Sequence, residues 1–103
     1  MKDKEFLLES IDHYALLTPA CKIVFKTLIK LAVDEVVIIN VKDLSNLSSI
    51  SRPAIYSSLI VLEEQKLVER KNKPKGRLST FILNPQKFQD IIKYYTVRKN
   101  FFT

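Results

Sequence analysis

The chain has 103 residues, 17 Lys and Arg against 11 Asp and Glu, a formal net charge of +6 with His13 neutral, and 47% hydrophobic residues. A chain of this size is expected to build one domain over residues 1–103 around one core, with no room for a separate catalytic or effector domain. One cysteine and one histidine supply neither an internal disulfide nor a zinc set, and a single glycine excludes a glycine-rich phosphate loop.

Residues 3–17 carry Phe6, Leu7, Ile11, Tyr14 and Ala15 at spacings of three and four, which predicts a helix with one apolar stripe. Thr18 and Pro19 offer an N-cap and a first-position proline to a second helix over 20–33. Its apolar face carries Cys21, Val24, Phe25, Leu28, Leu31 and Ala32, and Lys22, Lys26 and Lys30 line a face read as solvated. Cys21 reads as core filler. Asp34 and Glu35 interrupt the pattern, and Val36 to Ile39 is a β-branched run suited to one strand of a small sheet.

Asn40 is placed to cap a short helix from Val41 to Leu47, with Ile39 set to pack on Leu44 and Asp43 in the first turn. Ser48 and Ser49 form a turn, and Ser51 caps a longer helix over 52–66, with Ile50 facing Ile55 and Pro53 tolerated in the first turn. Extended stretches from Val68 to Lys73 and from Arg77 to Leu83 flank Lys73-Pro74-Lys75-Gly76, which suits a type I turn and predicts a β-hairpin with a basic tip. Asn84 and Pro85 open a last helix over 85–99, bearing Phe88, Ile91, Ile92 and Tyr95, with Leu83 set to pack on Phe88; a short tail follows.

The order helix, helix, strand, short helix, turn, longer helix, hairpin, helix is that of a winged helix-turn-helix: mainly α with a small β-hairpin, α+β, its core over 19–84 and an extra helix at each end. The segment from Leu44 to Arg70, LSNLSSISRPAIYSSLIVLEEQKLVER, resembles without gaps the helix-turn-helix signature of winged-helix regulators of the MarR and related types, and the similarity extends over about Pro19 to Leu83. The resemblance implies a double-stranded DNA partner and a homodimer that sets two recognition helices on half-sites of an inverted repeat. Ser49 stands where that family usually has glycine, so the short helix is expected to end early, and Ile60 and Val61 stand at commonly polar positions. STFILNP, from Ser79 to Pro85, is similar to plasmid replication proteins of the RepL type, which implies a replication or maintenance factor as the alternative.

With Ile55, Leu59 and Leu62 as the buried line of the longer helix, a step of about 100° per residue puts Pro53, Ser57, Ile60 and Glu64 opposite, and Arg52 and Tyr56 on the N-terminal flank. Arg52 suits bidentate contact with guanine, Ser57 can donate or accept, and Tyr56 reaches a phosphate or a thymine methyl, or packs beside the wing. Ser51 leaves backbone N–H groups at the helix start, a structural role first and a phosphate site second.

The stretch from Lys66 to Arg77 holds Lys66, Arg70, Lys71, Lys73, Lys75 and Arg77 against Glu69, so it carries +5 of the total and suits a wing laid along phosphates. The candidate DNA-binding residues are therefore Ser51, Arg52, Pro53, Tyr56, Ser57, Arg70, Lys71, Lys73, Lys75 and Arg77. Phe6, Ile11, Tyr14, Phe88, Ile91, Ile92 and Tyr95 on the terminal helices are the expected dimer interface, and outward-facing Ile60 and Val61 leave a protein partner open as a third reading.

His13 is the one histidine and sits on a short N-terminal segment, with no pocket of titratable groups legible around it and no nucleophile motif present, so the chain is read as no enzyme, without catalytic residues, metal or cofactor. No apolar stretch approaches the roughly twenty residues that cross a bilayer, and MKDKEFLLES lacks the apolar run of a signal peptide, so a cytoplasmic protein with no membrane partner is expected.

Overall fold

A computed structural model describes residues 4–71 and 78–102. Among them run α1 (Lys4–Asp12), α2 (Pro19–Leu31), β1 (Val36–Ile39), α3 (Val41–Ser48), α4 (Arg52–Glu64), β2 (Val68–Arg70), β3 (Ser79–Leu83) and α5 (Pro85–Phe102). The strands form an antiparallel sheet in the order β1-β3-β2, with Phe81 of β3 opposite Val37 on one side and Arg70 on the other. This is the α+β winged helix-turn-helix: α3 and α4 are the helix-turn-helix pair, β2 and β3 the wing, and α1 and α5 the additions.

Three helix starts follow from local chemistry. The Thr18 hydroxyl accepts from the Cys21 N–H at 3.2 Å, the Asn40 side chain from the Asp43 N–H at 2.7 Å, and the Ser51 hydroxyl from the Ala54 N–H at 3.4 Å. Pro19 and Pro53 occupy first turns, where the missing N–H removes no helical bond.

Helix ends differ from the sequence expectation, and at α1 distant side chains meet the end. α1 stops at Asp12 rather than at 17: the N–H groups of His13 and Tyr14 turn back to the Ser10 and Ile11 carbonyls at 3.2 and 3.1 Å. Lys22 donates to the Asp12 carbonyl at 2.9 Å, and Lys26 meets the Asp12 carboxylate at 2.5 Å. These two lysines are therefore half-buried clamps on the carbonyl end of α1 rather than a solvated face, while Lys30 is exposed. Ala15, expected in the apolar stripe, is exposed, and Leu17 is buried instead. α2 ends at Leu31, so Ile29 rather than Leu31 completes its buried face.

Between α2 and β1 the chain reverses through Val33–Val36, where the two valines exchange N–H to carbonyl bonds at 3.0 Å. Asp34 and Glu35 stand at φ of 50° and 69°, the paired left-handed geometry of a two-residue hairpin that Asn-Gly adopts with least strain.

The core joins Phe25, Phe81 and Phe88 with Val24, Leu28, Leu44, Ile55, Leu59 and Leu62, and α2 packs on α4 while α1 packs on α5. The rings of Phe25 and Phe88 meet edge to face, centroids 5.3 Å apart. Among the described residues no buried side-chain nitrogen or oxygen lacks a hydrogen-bond partner. Cys21 is buried with its sulfur 3.7 Å from the Ser58 carbonyl, and burial pushes the thiol from 9.0 up to about 11. α5 runs to Phe102 rather than ending at 99. Asn84, expected as its cap, donates its side-chain amide to the Lys66 carbonyl at 3.1 Å and its N–H to the Leu67 carbonyl at 3.0 Å.

Replacing Asp34-Glu35 by Asn-Gly is expected to raise stability by about 0.5–1 kcal/mol, since relief of left-handed strain exceeds the added unfolded-state entropy; urea titration measures it, and a loss of stability would contradict the turn geometry. Because the native thiol keeps its proton longer than the unfolded one, its contribution is full below pH 9.0 and is lost as pH rises toward about 11. Unfolding free energies measured across that range should fall more steeply for wild type than for Cys21→Ala, and the native thiol should resist labelling at lower pH.

Candidate nucleic-acid interface

The turn into α4 is built by serines. The early end expected from Ser49 does not occur: α3 continues through Ser48, and Ser49 itself takes the left-handed conformation, φ 60° and ψ 28°. The Ser48 hydroxyl donates to the Leu44 carbonyl at 2.7 Å and accepts from the Ile50 N–H at 3.3 Å, while the Ser45 hydroxyl donates to the Ile50 carbonyl at 2.5 Å. Side-chain hydroxyls thus hold a turn that glycine usually makes.

The far end of α4 is closed by a Schellman motif. The Leu67 N–H bonds the Leu62 carbonyl at 3.0 Å and the Lys66 N–H bonds the Glu63 carbonyl at 3.1 Å, with Lys66 left-handed at φ 62°. α4 therefore ends at Glu64, short of the expected Lys66. Gln65 adds a bond from its side-chain amide to the Leu16 carbonyl at 3.1 Å.

Between these ends the faces divide as helical periodicity requires. Ile55, Ser58, Leu59 and Leu62 are buried, and Arg52, Pro53, Tyr56, Ser57, Ile60 and Glu64 are exposed or half-exposed, as is the capping Ser51. Tyr56 is 50% and Ile60 55% exposed, so neither ring nor branched chain is used by the core. Val61, grouped with Ile60 in the sequence, is half-buried against the core instead. Ser57 donates its hydroxyl proton to the Pro53 carbonyl at 3.1 Å, which leaves its oxygen as an acceptor toward solvent. α4 begins with Arg52 and ends with Glu63 and Glu64, so its N-terminal turns are the ones that suit a groove lined with phosphates.

At the root of the wing, Arg70 is half-buried and its Nε and Nη2 donate to the Ser79 hydroxyl oxygen at 3.2 and 2.7 Å. Its guanidinium lies 5.5 Å from the centroid of Phe81. Arg70 is thus tied across β2 and β3, in a place where the sequence reads a phosphate contact. Ser79, buried and absent from the sequence candidates, is legible only from the register: with Val68 opposite Leu83, Arg70 falls opposite Phe81 and diagonal to Ser79. Lys71 is exposed and pairs with Glu69 at 3.3 Å, a surface pair of little energetic weight. Lys73, Lys75, Arg77 and the expected type I turn lie outside the described residues.

Of the residues expected at a dimer interface, Ile11, Tyr14, Phe88, Ile91 and Tyr95 are buried within the chain, and Phe6 and Ile92 are half-buried. The aromatic rings of the two ends meet one another: Phe6 and Tyr95 at 5.8 Å, His13 stacked on Tyr95 at 4.9 Å, and Tyr14 edge-on to Tyr94 at 5.3 Å. Among the described residues no group of three or more His, Cys, Asp and Glu could hold a metal ion, and no helix is long and apolar enough to cross a membrane.

No family model and no curated protein matches the chain. Among solved structures, the YusO protein from Bacillus subtilis is similar with a TM-score of 0.57 and 20% identity, over 98% of this chain and 70% of that one. A "possible transcriptional regulator" from Methanosarcina mazei Go1 is similar with a TM-score of 0.57 and 17% identity, over 97% of this chain and 81% of that one. At these identities the likeness is one of fold, and it agrees with the winged helix-turn-helix described above.

Removing either partner of the wing-root bond is expected to cost about 1.5–3 kcal/mol, the range for hydrogen bonds to a charged group. In a double-mutant cycle read by urea unfolding, Arg70→Ala and Ser79→Ala together should cost little more than either alone, and Arg70→Lys should not rescue, because an ammonium lacks the planar fork. Additive losses would show that the two side chains act separately.

Proposed function

We propose that the chain is a sequence-specific double-stranded DNA-binding protein acting as a small transcriptional regulator, with the N-terminal turns of α4 in the major groove and the basic stretch 71–77 along the phosphates. The observation that carries this reading is α4 itself: a helix closed at both ends, rotated by its buried line, and presenting Arg52, Tyr56 and Ser57 on one exposed face. Arg52 offers a planar fork to guanine, Ser57 an acceptor to a base amino group, and Ser51 the backbone N–H end of the helix to a phosphate.

Two solved structures of the same fold support it, one of them the "possible transcriptional regulator" of Methanosarcina mazei Go1. The concentration of +5 in the stretch 66–77 supplies the attraction, and because Arg70 is tied to Ser79 the phosphate contacts fall to Lys71, Lys73, Lys75 and Arg77. In this reading the protein works as a homodimer on an inverted repeat, through surface other than Ile11, Tyr14, Phe88, Ile91 and Tyr95, which are buried within the chain, and its activity is binding rather than catalysis. Within the RepL-like STFILNP, Asn84 has a structural use, since it holds the carbonyls of Lys66 and Leu67.

Fluorescence anisotropy on duplex DNA tests the reading. Affinity should fall by about 1,000-fold or more from roughly 50 to roughly 200 mM salt if six or more phosphates are neutralised. A Lys71, Lys73, Lys75 triple alanine variant should flatten that slope, and Arg52→Ala should cost about 1–3 kcal/mol on the selected site alone. Absence of binding to any duplex at low salt would overturn it.

A further inference from the structure

On the exposed face of α4, Ile60 is an apolar residue that hydrogen bonding to DNA does not use. Arg52, Tyr56 and Ile60 stand on successive turns of that face, and Ile60 at 55% exposure is the outward member of a helix whose Ile55, Leu59 and Leu62 are all inside. An aliphatic chain placed against phosphates or polar base edges desolvates them and returns no hydrogen bond. The thymine C5-methyl is the apolar group that a base pair presents in the major groove, and it is the surface that Ile60 complements.

The charge along α4 places Ile60 within the contact. Glu63 and Glu64 follow one turn later and oppose approach to phosphates, so the part of α4 that enters the groove runs from Arg52 to about Ile60. That stretch rises about 12 Å, the length of three to four base-pair steps of roughly 3.4 Å. Ile60 is also a β-branched residue with a restricted first torsion, so it presents its methyl groups in a fixed direction at little entropic cost.

On the reading of α4 as a DNA-reading helix, we infer that Ile60 is a specificity-determining residue that recognises the C5-methyl of a thymine about three to four base pairs from the pair met by Arg52. Tyr56, one turn earlier, flanks the same track, and Arg52 supplies the polar end of the recognised sequence.

The test uses the full chain and the duplex it selects from a random pool. Each thymine of that duplex is replaced in turn by deoxyuridine, which removes the methyl and nothing else, and binding is measured for wild type and for Ile60→Ala. One thymine, three to four pairs from an Arg52-dependent guanine, should lose about fourfold in affinity for wild type, the worth of one buried carbon, and should lose nothing further with Ile60→Ala. Ile60→Ala should keep the wild-type salt slope and, being exposed, the wild-type thermal midpoint.

A duplex bound by wild type with no sensitive thymine overturns the inference and leaves the DNA-binding reading standing. Equal sensitivity in Ile60→Ala overturns it as well and moves the contact to another side chain. Retention of DNA affinity by Ile60→Asp, with loss of a protein complex, overturns it in favour of a protein partner. Failure to select any duplex overturns both the inference and the reading beneath it.

Discussion

The removal of one face of α4 from water is the constraint on which the rest of the molecule depends. Ile55, Leu59 and Leu62 are inside, and burying each is worth about 1.5–3 kcal/mol relative to leaving it exposed. Once they are committed, helical geometry leaves no choice about which residues face outward. Ser58 is buried on the same face, and its backbone carbonyl accepts from the Cys21 thiol. The orientation of Arg52, Tyr56 and Ser57 is therefore a property of the packing between α2 and α4. It is not a property of the exposed residues themselves, which are free to vary with what they must touch.

Several residues that look functional in a basic or polar segment turn out to hold the frame in place. Arg70 joins β2 to β3 through Ser79 and lies over Phe81; Lys22 and Lys26 close the end of α1; Asn84 fastens the exit of α4 to the entry of α5. Arg70 satisfies a buried hydroxyl, Lys22 and Asn84 satisfy backbone carbonyls, and Lys26 pairs with the Asp12 carboxylate. The net charge of a segment consequently overstates the number of cations available to a ligand.

What was legible in the sequence is what is decided within about one helical turn. The caps at Thr18, Asn40 and Ser51, the strand from Val36 to Ile39 and the buried line of α4 all follow from neighbouring residues. What was not legible depends on partners that spacing does not reveal, such as Lys26 with Asp12 at a separation of 14 residues or Asn84 with Lys66 at 18. Lys66 concealed its turn for a different reason, since the usual signal is a glycine and Lys66 is not one. The aromatic stripes of α1 and α5 showed that a face is covered but not by what, and the rings cover one another within the chain.

Gly76 is the chain's one glycine, and the reversals at Asp34, Glu35, Ser49 and Lys66 are made by residues that carry side chains. A left-handed residue of this kind holds a conformation roughly 1–2 kcal/mol above the right-handed one. The same residues explore less of conformational space when the chain is unfolded, so folding forfeits less backbone entropy than it would with glycine at those sites. Native strain and denatured-state stiffness thus enter the free energy with opposite signs. Part of the stability of this fold resides in the restricted ensemble from which it forms.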